Sequence, residues 1–570
     1  MRWQIGLALT VLGLCGFVPG VNAQSITAAA DGTATQVQVG DRTYTITGGS
    51  RAGDNLFHSF QAFGLAPHEV ADFLASPQVG NILSRVTGGD PSLIHGLIQV
   101  TGSNANLYLM NPAGIVFGAG AQLNVSGDFT ATTATGIGWG GDRWFHAFGA
   151  NDYSQLVGTP SLFAFDTLQP GAILNAGELQ VAAGQQLALL GGRVANTGRL
   201  HAPAGEIVVA AVPGTSRVRL SQTGSLLSLE VEVPTNASGQ ILPIRALDLP
   251  QLLTGSGLDA SQVGTAAIAG QIDVAGIQGG NVTVVGDRVG LWQAEIDASG
   301  TQQGGQVRLG GNWRGGDGLW AAQQVFVAAD SQIRVDAEGR GNGGTAIVWA
   351  DETTQFYGQV SARGGAIAGD GGFIEVSGQQ FLDFQGQADA SAPHGLAGTL
   401  LLDPADLEIV AETGNLASLP VGFATGPLSA QLSATVLNSA TSNIILEATN
   451  TITFSAAVKV AAAGIGLQAT ANNGITVNAD LITNGGAVTL QADADGNGGA
   501  LTLNNATLNT GSGDITLTGR GHPGAAGGGT GGTGHRPQQQ PPDHHPAATS
   551  RSPAAAVRAV RVLTNQMELR

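Results

Sequence analysis

The stretch NANLYLMNPAGIVFGAGAQLNV, residues 104–125, has the sequence pattern of a strand, a turn and a second strand. Leu107 and Leu109 alternate with their neighbours, and the alternation resumes at Ile115. A period of two predicts half-buried β-strands. The tetrapeptide Asn-Pro-Ala-Gly at 111–114 separates the two runs. It predicts a tight turn, because proline fixes its own φ and the glycine allows a positive φ.

Similar short strands recur along the chain. Asn-Ala-Gly-Glu-Leu at 175–179 returns 21 residues later as Asn-Thr-Gly-Arg-Leu at 196–200. Gly-Gly pairs precede further alternating runs, and Gly-Gly-Ala-Val-Thr-Leu at 485–490 returns as Gly-Gly-Ala-Leu-Thr-Leu at 498–503. Strands repeated every 20 to 30 residues or so, with Gly and Asn turns, predict an all-β solenoid of stacked coils. A propeller is disfavoured, because it needs four strands per unit and aromatic signatures.

Helix is nearly absent from the sequence pattern. One short helix is predicted near residues 67–74, where Pro67 stands early and Val70, Phe73 and Leu74 share a helical face.

The composition agrees with a narrow β core. Glycine accounts for 88 of 570 residues, which is about twice its average usage, and charged residues for only 11%. The 42% of hydrophobic residues argues against a chain that is disordered throughout.

The net charge is unevenly distributed. The tail from Gly519 carries +4 and the first 23 residues carry +1, so residues 24–518 hold −23 against a total of −18. A body this acidic argues against binding of nucleic acid and against docking on anionic lipid.

The N-terminus predicts secretion. Arg2, an apolar run over residues 5–18 and the Val-Asn-Ala sequence ending at Ala23 have the form of a secretory signal peptide cleaved after Ala23. Cleavage removes Cys15, the only cysteine, so the mature protein has no disulfide. No later apolar run reaches 18 residues, so we expect no integral membrane protein.

Candidate chemistry is sparse, and we predict neither an enzyme nor a cofactor. Asp351, Glu352, Asp403 and Asp406 are acids of the type that forms a carboxylate pair on a polysaccharide-cleaving β-helix, but solvated turn residues are the more common use of such groups. Residues 493–504 match only the first half of a calcium loop, since Asn504 stands where glutamate is required.

Four motifs in order resemble the secretion domain of the filamentous haemagglutinin family, which is exported by two-partner secretion. They are Asn-Leu-Phe-His-Ser-Phe at 55–60, Asn-Ile-Leu-Ser-Arg-Val-Thr-Gly-Gly at 81–89, His-Gly-Leu-Ile-Gln-Val at 95–100 and Asn-Pro-Ala-Gly-Ile-Val-Phe-Gly at 111–118. The resemblance implies a right-handed parallel β-helix. It also implies a partner, an outer-membrane β-barrel transporter whose periplasmic domains capture the unfolded secretion domain.

The resemblance also suggests which residues act in secretion. The family's Asn-Pro-Asn-Gly-Ile turn matches Asn111, Pro112, Gly114 and Ile115, with Ala113 replacing the second asparagine. Its Asn-Pro-Asn-Leu turn aligns with Ser76, Pro77, Gln78 and Val79, where both asparagines are absent. We expect the turn at 111–114 to matter more to export than to the stability of the finished fold. Replacement of Gly114 by valine should cost about 1 kcal/mol or more. Replacement of Asn111 by alanine should cost less, because it removes at most one side-chain hydrogen bond to a neighbouring backbone group.

These observations predict the organisation of the whole chain. The segments are a signal peptide over 1–23, a haemagglutinin-type secretion domain over 24–260, Gly-rich β-helix repeats over 261–400, further repeats over 401–518 and a disordered low-complexity tail over 519–570. The repeats stop abruptly at the tail, as they would if a frameshift had truncated a longer protein. The predicted function is a secreted surface adhesin that binds a host or cell-surface glycan or protein. A secreted β-helix enzyme that degrades carbohydrate and a truncated toxin-delivery stalk are the alternatives.

Overall fold

The computed structural model describes residues 25–220, 263–316, 318–412, 422–423 and 430–519. The predicted signal peptide and all but the first residue of the predicted tail lie outside these ranges. The chain divides into two compact units. The first comprises residues up to Val274 with Val282–Glu295 and Gly318–Trp320, and the second comprises Ala275–Asn281, Ile296–Asp317 and the residues from Ala321 onward. The predicted boundaries at 260 and 400 stay predictions.

The first unit is a parallel β-helix with three faces, as the repeats predict. Equivalent strands of successive coils pair in parallel and in register, so each coil provides the hydrogen-bonding edge for the next. The first face contains Asn55–Ala62, Asn81–Val86, Asn106–Met110, Phe129–Thr132, Gln186–Gly191, Glu206–Ala211 and Asn281–Gly286. The second contains Ser92–Ile94, Ile115–Phe117, Ala172–Asn175, Arg193–Asn196, Thr265–Ile268 and Arg288–Leu291. The third contains Thr43–Gly48, Val70–Leu74, Leu97–Thr101, Gln122–Asn124, Glu178–Gln180, Arg199–His201 and Gln271–Asp273.

Antiparallel strands surround these coils. Thr27–Ala28, Thr35–Val39 and Ser50–Ala52 pair with the first coil at the N-terminal end. Gly136–Gly138, Trp144–His146, Leu162–Phe165 and Ser216–Arg219 form a separate four-stranded sheet, which we call the outer sheet. A short 3₁₀ helix spans Tyr153–Gln155.

The outer sheet corrects one expectation from the sequence. The strand Asn106–Met110 is buried on both sides rather than half-buried. Tyr108 and Met110, on its outward side, pack in one apolar cluster with Phe145 and Phe163 of the outer sheet. Aromatic and aliphatic side chains of this size, buried between two sheets, stabilise the first unit by the removal of apolar surface from water.

The helix predicted over residues 67–74 is wrong. Val70–Leu74 is a strand that pairs in parallel with Thr43–Gly48 on one side and Leu97–Thr101 on the other. Ala71 and Phe73 are buried and Leu74 is exposed, which is the period of two that a strand requires. Pairing on both edges overrides the local helical pattern.

The second unit also consists of stacked parallel strands. Its first face contains Gln306–Leu309, Thr345–Phe356, Phe373–Gly378, Thr399–Asp403, Asn443–Ala448, Leu467–Ala471, Val488–Gln491 and Ile515–Thr518. The second contains Ala322–Val327, the later part of Thr345–Phe356 and Phe381–Phe384, and then Ala430–Ser433, Leu407–Val410, Thr451–Phe454, Gly474–Val477 and Ala500–Leu503. The remaining strands are Gly276–Gln278, Gly300–Gln303, Glu295–Asp297, Gln332–Arg334, Gln359–Ser361, Gln387–Asp389, Val458–Ala463, Leu481–Asn484 and Leu508–Asn509. A five-residue α-helix spans Ala434–Asn438, and a 3₁₀ turn spans Trp313–Gly315.

The structure separates two kinds of sequence repeat. Asn175 aligns with Asn196 on adjacent coils, so the 21-residue repeat is one coil. Val488 aligns instead with Ile515, and the intervening strand Ala500–Leu503 pairs with Gly474–Val477 in another sheet. The similarity between 485–490 and 498–503 therefore relates consecutive sides of one coil.

Four glycines, three of them the second glycine of a Gly-Gly pair, form a column at one corner of the second unit. A Cβ on Gly305, Gly344, Gly372 or Gly398 would collide with the carbonyl oxygen of the equivalent glycine one coil earlier. The same carbonyls accept hydrogen bonds from the first residue of the next strand, for example Thr345 N to Gly305 O at 3.0 Å. The column therefore sets how closely the coils stack at this corner.

Among the described residues, no helix has the length and apolarity needed to cross a bilayer.

Candidate functional site

The turn at residues 111–114 joins the first and second faces of one coil. Gly114 N donates to Asn111 O at 3.0 Å, and Ala113 N donates to Asn111 Oδ1 at 3.0 Å. Gly114 has a φ of 126°, as the sequence predicts. Proline, asparagine and glycine thus perform the local roles that their chemistry favours in turns.

The side chain of Asn111 also connects this coil to the preceding one. Its Nδ2 donates to the carbonyl oxygen of Asp90 and to Ser92 Oγ, both at 3.0 Å, and the residue is 1% exposed. The premise that this side chain makes at most one hydrogen bond, to a neighbouring backbone group, is therefore wrong. Alanine would remove two donated hydrogen bonds and one accepted hydrogen bond, including the donor to the buried Ser92 Oγ, at a cost of about 1–3 kcal/mol.

The following coil covers the turn. A Cβ on Gly171 would lie 2.5 Å from Pro112 O and 2.7 Å from Gly114 N, so only glycine allows this approach. Ile115 is fully buried and aligns with Ser92 on one side and Ile173 on the other. In the folded unit, Asn111 and Ile115 therefore present almost no surface to another protein.

The turn at residues 76–79 is more open. Val79 N donates to Ser76 O at 2.9 Å, and Gln78 O accepts from Arg51 Nη2 at 3.0 Å. Val79 is buried, whereas Ser76, Pro77 and Gln78 are exposed. This turn joins the third face to the first, so the structure places the two sequence-predicted turns at different corners of the coil.

Sequence reasoning missed an asparagine ladder in the same unit. Asn81 Nδ2 donates to Asn55 Oδ1 at 2.8 Å, and Asn106 Nδ2 donates to Asn81 Oδ1 at 3.0 Å. Asn55 Nδ2 then donates to the carbonyl oxygens of Leu156 and Gly158, both at 2.7 Å. The available signal was an asparagine at the start of each strand, 25 or 26 residues apart.

A buried network around Arg85 was also missed. Arg85 is 2% exposed and forms an ion pair with Asp31 at 2.7 Å. Its guanidinium also donates to Ser59 Oγ, at 3.0 Å, and to the carbonyl oxygens of His146 and Gly149. It thereby connects the N-terminal strands, a coil and the outer sheet. Burial alone would raise the pKa of Asp31, but hydrogen bonds from Ser59, Thr33 and Arg85 lower it to about 2.

The carboxylates singled out in the sequence do not form one group. Asp351 accepts from Trp349 Nε1 at 3.0 Å, Glu352 is exposed, and Asp406 accepts from Thr451 Oγ1 at 2.7 Å in a turn. Asp403 instead aligns beside acids that the sequence analysis did not name, which are described below.

In the segment that matches half of a calcium loop, the aspartates accept hydrogen bonds from other residues of the same segment. Asp493 Oδ1 accepts from Gly498 N at 2.8 Å, and Asp495 accepts from the amide groups of Asn497. Within the described ranges, no group of three His, Cys, Asp or Glu side chains is arranged to hold a metal ion.

Comparisons with known proteins identify the N-terminal part of the chain. Residues 23–249 match the TPS secretion domain family. The solved HMW1 secretion domain from Haemophilus influenzae is 22% identical, with a TM-score of 0.38, and the alignment covers 66% of this chain and 100% of that one. The filamentous hemagglutinin secretion domain is 21% identical, with a TM-score of 0.26, covering 62% of this chain and 99% of that one. No curated protein matches by sequence. Residues 23–249 of the chain are therefore a TPS secretion domain.

Proposed function

We propose that an outer-membrane β-barrel transporter carries this protein to the cell surface or the medium, and that the protein acts there as an adhesin without enzymatic activity. The partner is proposed to capture the secretion domain before it folds, through periplasmic domains. The turn at residues 111–115 carries the proposal: it matches a turn of the family that the sequence resembles, and the finished coil buries Asn111 and Ile115. A partner that recognises Asn111 must therefore contact it while the secretion domain is still unfolded.

Replacement of two asparagines in similar buried environments, Asn111 and Asn175, tests the capture step. Asn175 is 2% exposed, donates to Asn196 Oδ1 at 2.7 Å and accepts from Gly177 N at 3.0 Å. It therefore resembles Asn111 in burial and in its local turn bond, but lies outside the motif. Asn111→Ala and Asn175→Ala are expected to lose similar stability, about 1–3 kcal/mol each.

Each variant is expressed with the partner transporter, and the protein in the medium is compared with that in the periplasm. We expect Asn111→Ala to accumulate in the periplasm and Asn175→Ala to be exported. Equal export of the two variants would show that Asn111 acts only in the fold.

The adhesin role is supported by composition and by the long sheets of the body. A chain with many small residues and few charges forms regular stacked coils, and stacked coils provide a long, repeated surface for binding. The test compares attachment of cells that express the protein with cells lacking it, on host cells and on immobilised glycans. Attachment that does not depend on the protein would contradict this role.

A carbohydrate-degrading enzyme remains the second candidate, favoured by the acids Glu375, Asp403 and Glu447 on adjacent strands of the second unit. Glu375, however, is fully buried, which hinders contact with a substrate. Incubation of the purified protein with polysaccharides, followed by assay for new reducing ends or unsaturated products, distinguishes the two functions.

A further inference from the structure

A short segment lies across the outward side of the first face in the second unit. We call residues 310–316 the strap. Its backbone follows the ring of Trp349 closely, because a Cβ on Gly311 or Gly315 would lie 2.7 Å from ring atoms. Trp349 is consequently only 4% exposed. The strap therefore covers an apolar surface that would otherwise contact water.

Arg314 connects the strap to acids on the sheet. Its backbone N donates to Glu375 Oε1 at 3.1 Å, and its Nη2 forms an ion pair with Glu447 Oε1 at 2.6 Å. Arg314 has a φ of 52°, which a residue with a side chain rarely adopts. Docking thus holds Arg314 in a conformation that a free loop would leave.

Three carboxyl groups lie on three successive strands beneath the strap. Ser377 aligns with Asp403, which places Glu375 and Asp403 on one side of neighbouring strands. Leu402 aligns with Leu446, so Asp403 and Glu447 are neighbours on the next pair. Glu375 is fully buried, and the side chain of Glu447 is 18% exposed.

Other charged groups face this cluster from the neighbouring elements. Arg308 occupies the same column as Glu375 and is separated from it by Ile347. Asp351 accepts a hydrogen bond from Trp349 Nε1. Ionisation of all three acids therefore places more negative charge under the strap than the Arg314 and Arg308 guanidinium groups together balance.

We propose that the strap is a pH-sensitive element, docked on the sheet in acid and released as the acids beneath it ionise near neutral pH. Release exposes Trp349 and returns Glu375 to water. The protonated acid still accepts a hydrogen bond from Arg314 N, so docking survives in acid.

The direction of the pH dependence follows from the acids. Burial raises the pKa of Glu375 to about 7 and that of Asp403 to about 6, the latter with help from the Glu447 carboxylate. Burial also raises the pKa of Glu447. The docked state therefore binds more protons than the released state. Docking is strongest below the ordinary glutamate pKa, about 4.5, and weakens as the pH rises through about 7.

Hydrogen–deuterium exchange of the full mature chain tests the proposal. After correction for intrinsic exchange, protection of the amides of Arg314 and Gly315 is expected to fall at least about tenfold between about pH 5 and pH 8. In Glu375→Gln, which keeps an acceptor but cannot ionise, we expect a smaller loss of strap protection at pH 8, because only Asp403 and Glu447 still ionise.

Glu352→Gln, an exposed acid on a strand of the same face, is the matched control and should behave like the unaltered protein. Protection of the strand Phe373–Gly378 reports whether the variants are folded. Strap protection that is independent of pH in the unaltered protein would overturn the proposal. So would a pH profile that Glu375→Gln leaves unchanged.

Discussion

Single side chains show what the sequence can and cannot reveal about this unit. The turn at 111–114 was predictable, because its proline and glycine act within four residues. The contacts of Asn111 with Asp90 and Ser92 were not, since they depend on which coils stack. The same holds for Arg85, whose partners Asp31 and His146 lie 54 and 61 residues away in the chain.

Replacement of Arg85 by methionine is expected to destabilise the first unit by about 3–5 kcal/mol, because it leaves buried acceptors without a donor. Thermal unfolding followed by near-UV circular dichroism measures the loss. Arg51→Met is the control: Arg51 is exposed and donates only to backbone oxygens, so the change should be within about 0.5 kcal/mol. Similar losses for the two variants would contradict the network.

The burial of His58 predicts that the first unit loses stability in acid. The residue is 1% exposed, packs 5.8 Å from the Phe73 ring, and its Nδ1 has no hydrogen-bond partner. Burial lowers its pKa to about 4. The unfolded chain therefore binds a proton first as the pH falls below about 6.5, and up to about 3 kcal/mol of stability is lost by pH 4.

The measurement compares thermal midpoints between about pH 7 and pH 4 for the unaltered protein and His58→Leu. The difference between the two curves isolates the histidine from nearby acids that titrate in the same range. The variant should lose less stability on acidification. Parallel curves would show that His58 does not control this response.

At the scale of elements, repeats were easier to recognise than their arrangement. The alternation and the Gly-Gly pairs predict strands and their starting points correctly. Residues 67–74 carry a helical pattern, yet strands on both edges pair with Val70–Leu74. The outer sheet was not foreseen, because its strands have few residues and interrupt the coils irregularly.

The glycine column predicts that a single methyl group added at one of its positions clearly lowers the free energy of unfolding. Gly344→Ala should destabilise the second unit by about 1–3 kcal/mol or more, because the new Cβ collides with backbone that cannot rotate away. Gly464→Ala is the control, since it has a φ of 76° but no atom within 4 Å of the added carbon. Its cost should be about 1 kcal/mol, from backbone strain alone. Unfolding of both variants in urea tests this order, and the reverse order would refute it.

For the whole molecule, composition and periodicity were sufficient to predict the class of fold. Low charge, abundant glycine and alternating short runs are consistent with parallel coils and with little else. The ligand is a different matter, because composition defines no binding site on a solvated sheet face. The secretion domain is assigned through its motifs and the family match, whereas the adhesin role remains a proposal.

Far-UV circular dichroism of the mature protein should show a strand-dominated spectrum. The described residues contain a single α-helix, of five residues, so helix should contribute only a minor part of the signal. A spectrum dominated by helix would contradict the fold. Addition of a reductant should leave the spectrum and the thermal transition unchanged, because the predicted cleavage after Ala23 removes Cys15, the only cysteine.

The glycine column also constrains how the gene can change. Any single-base change that alters the meaning of a glycine codon introduces a residue with a Cβ or a stop. Positions 305, 344, 372 and 398 therefore tolerate almost no amino-acid substitution. In-frame duplication of a whole coil, such as the 26 codons from 372 to 397, keeps a glycine at every position of the column. At this corner, the gene therefore changes more readily by gaining complete coils than by substituting residues within a coil.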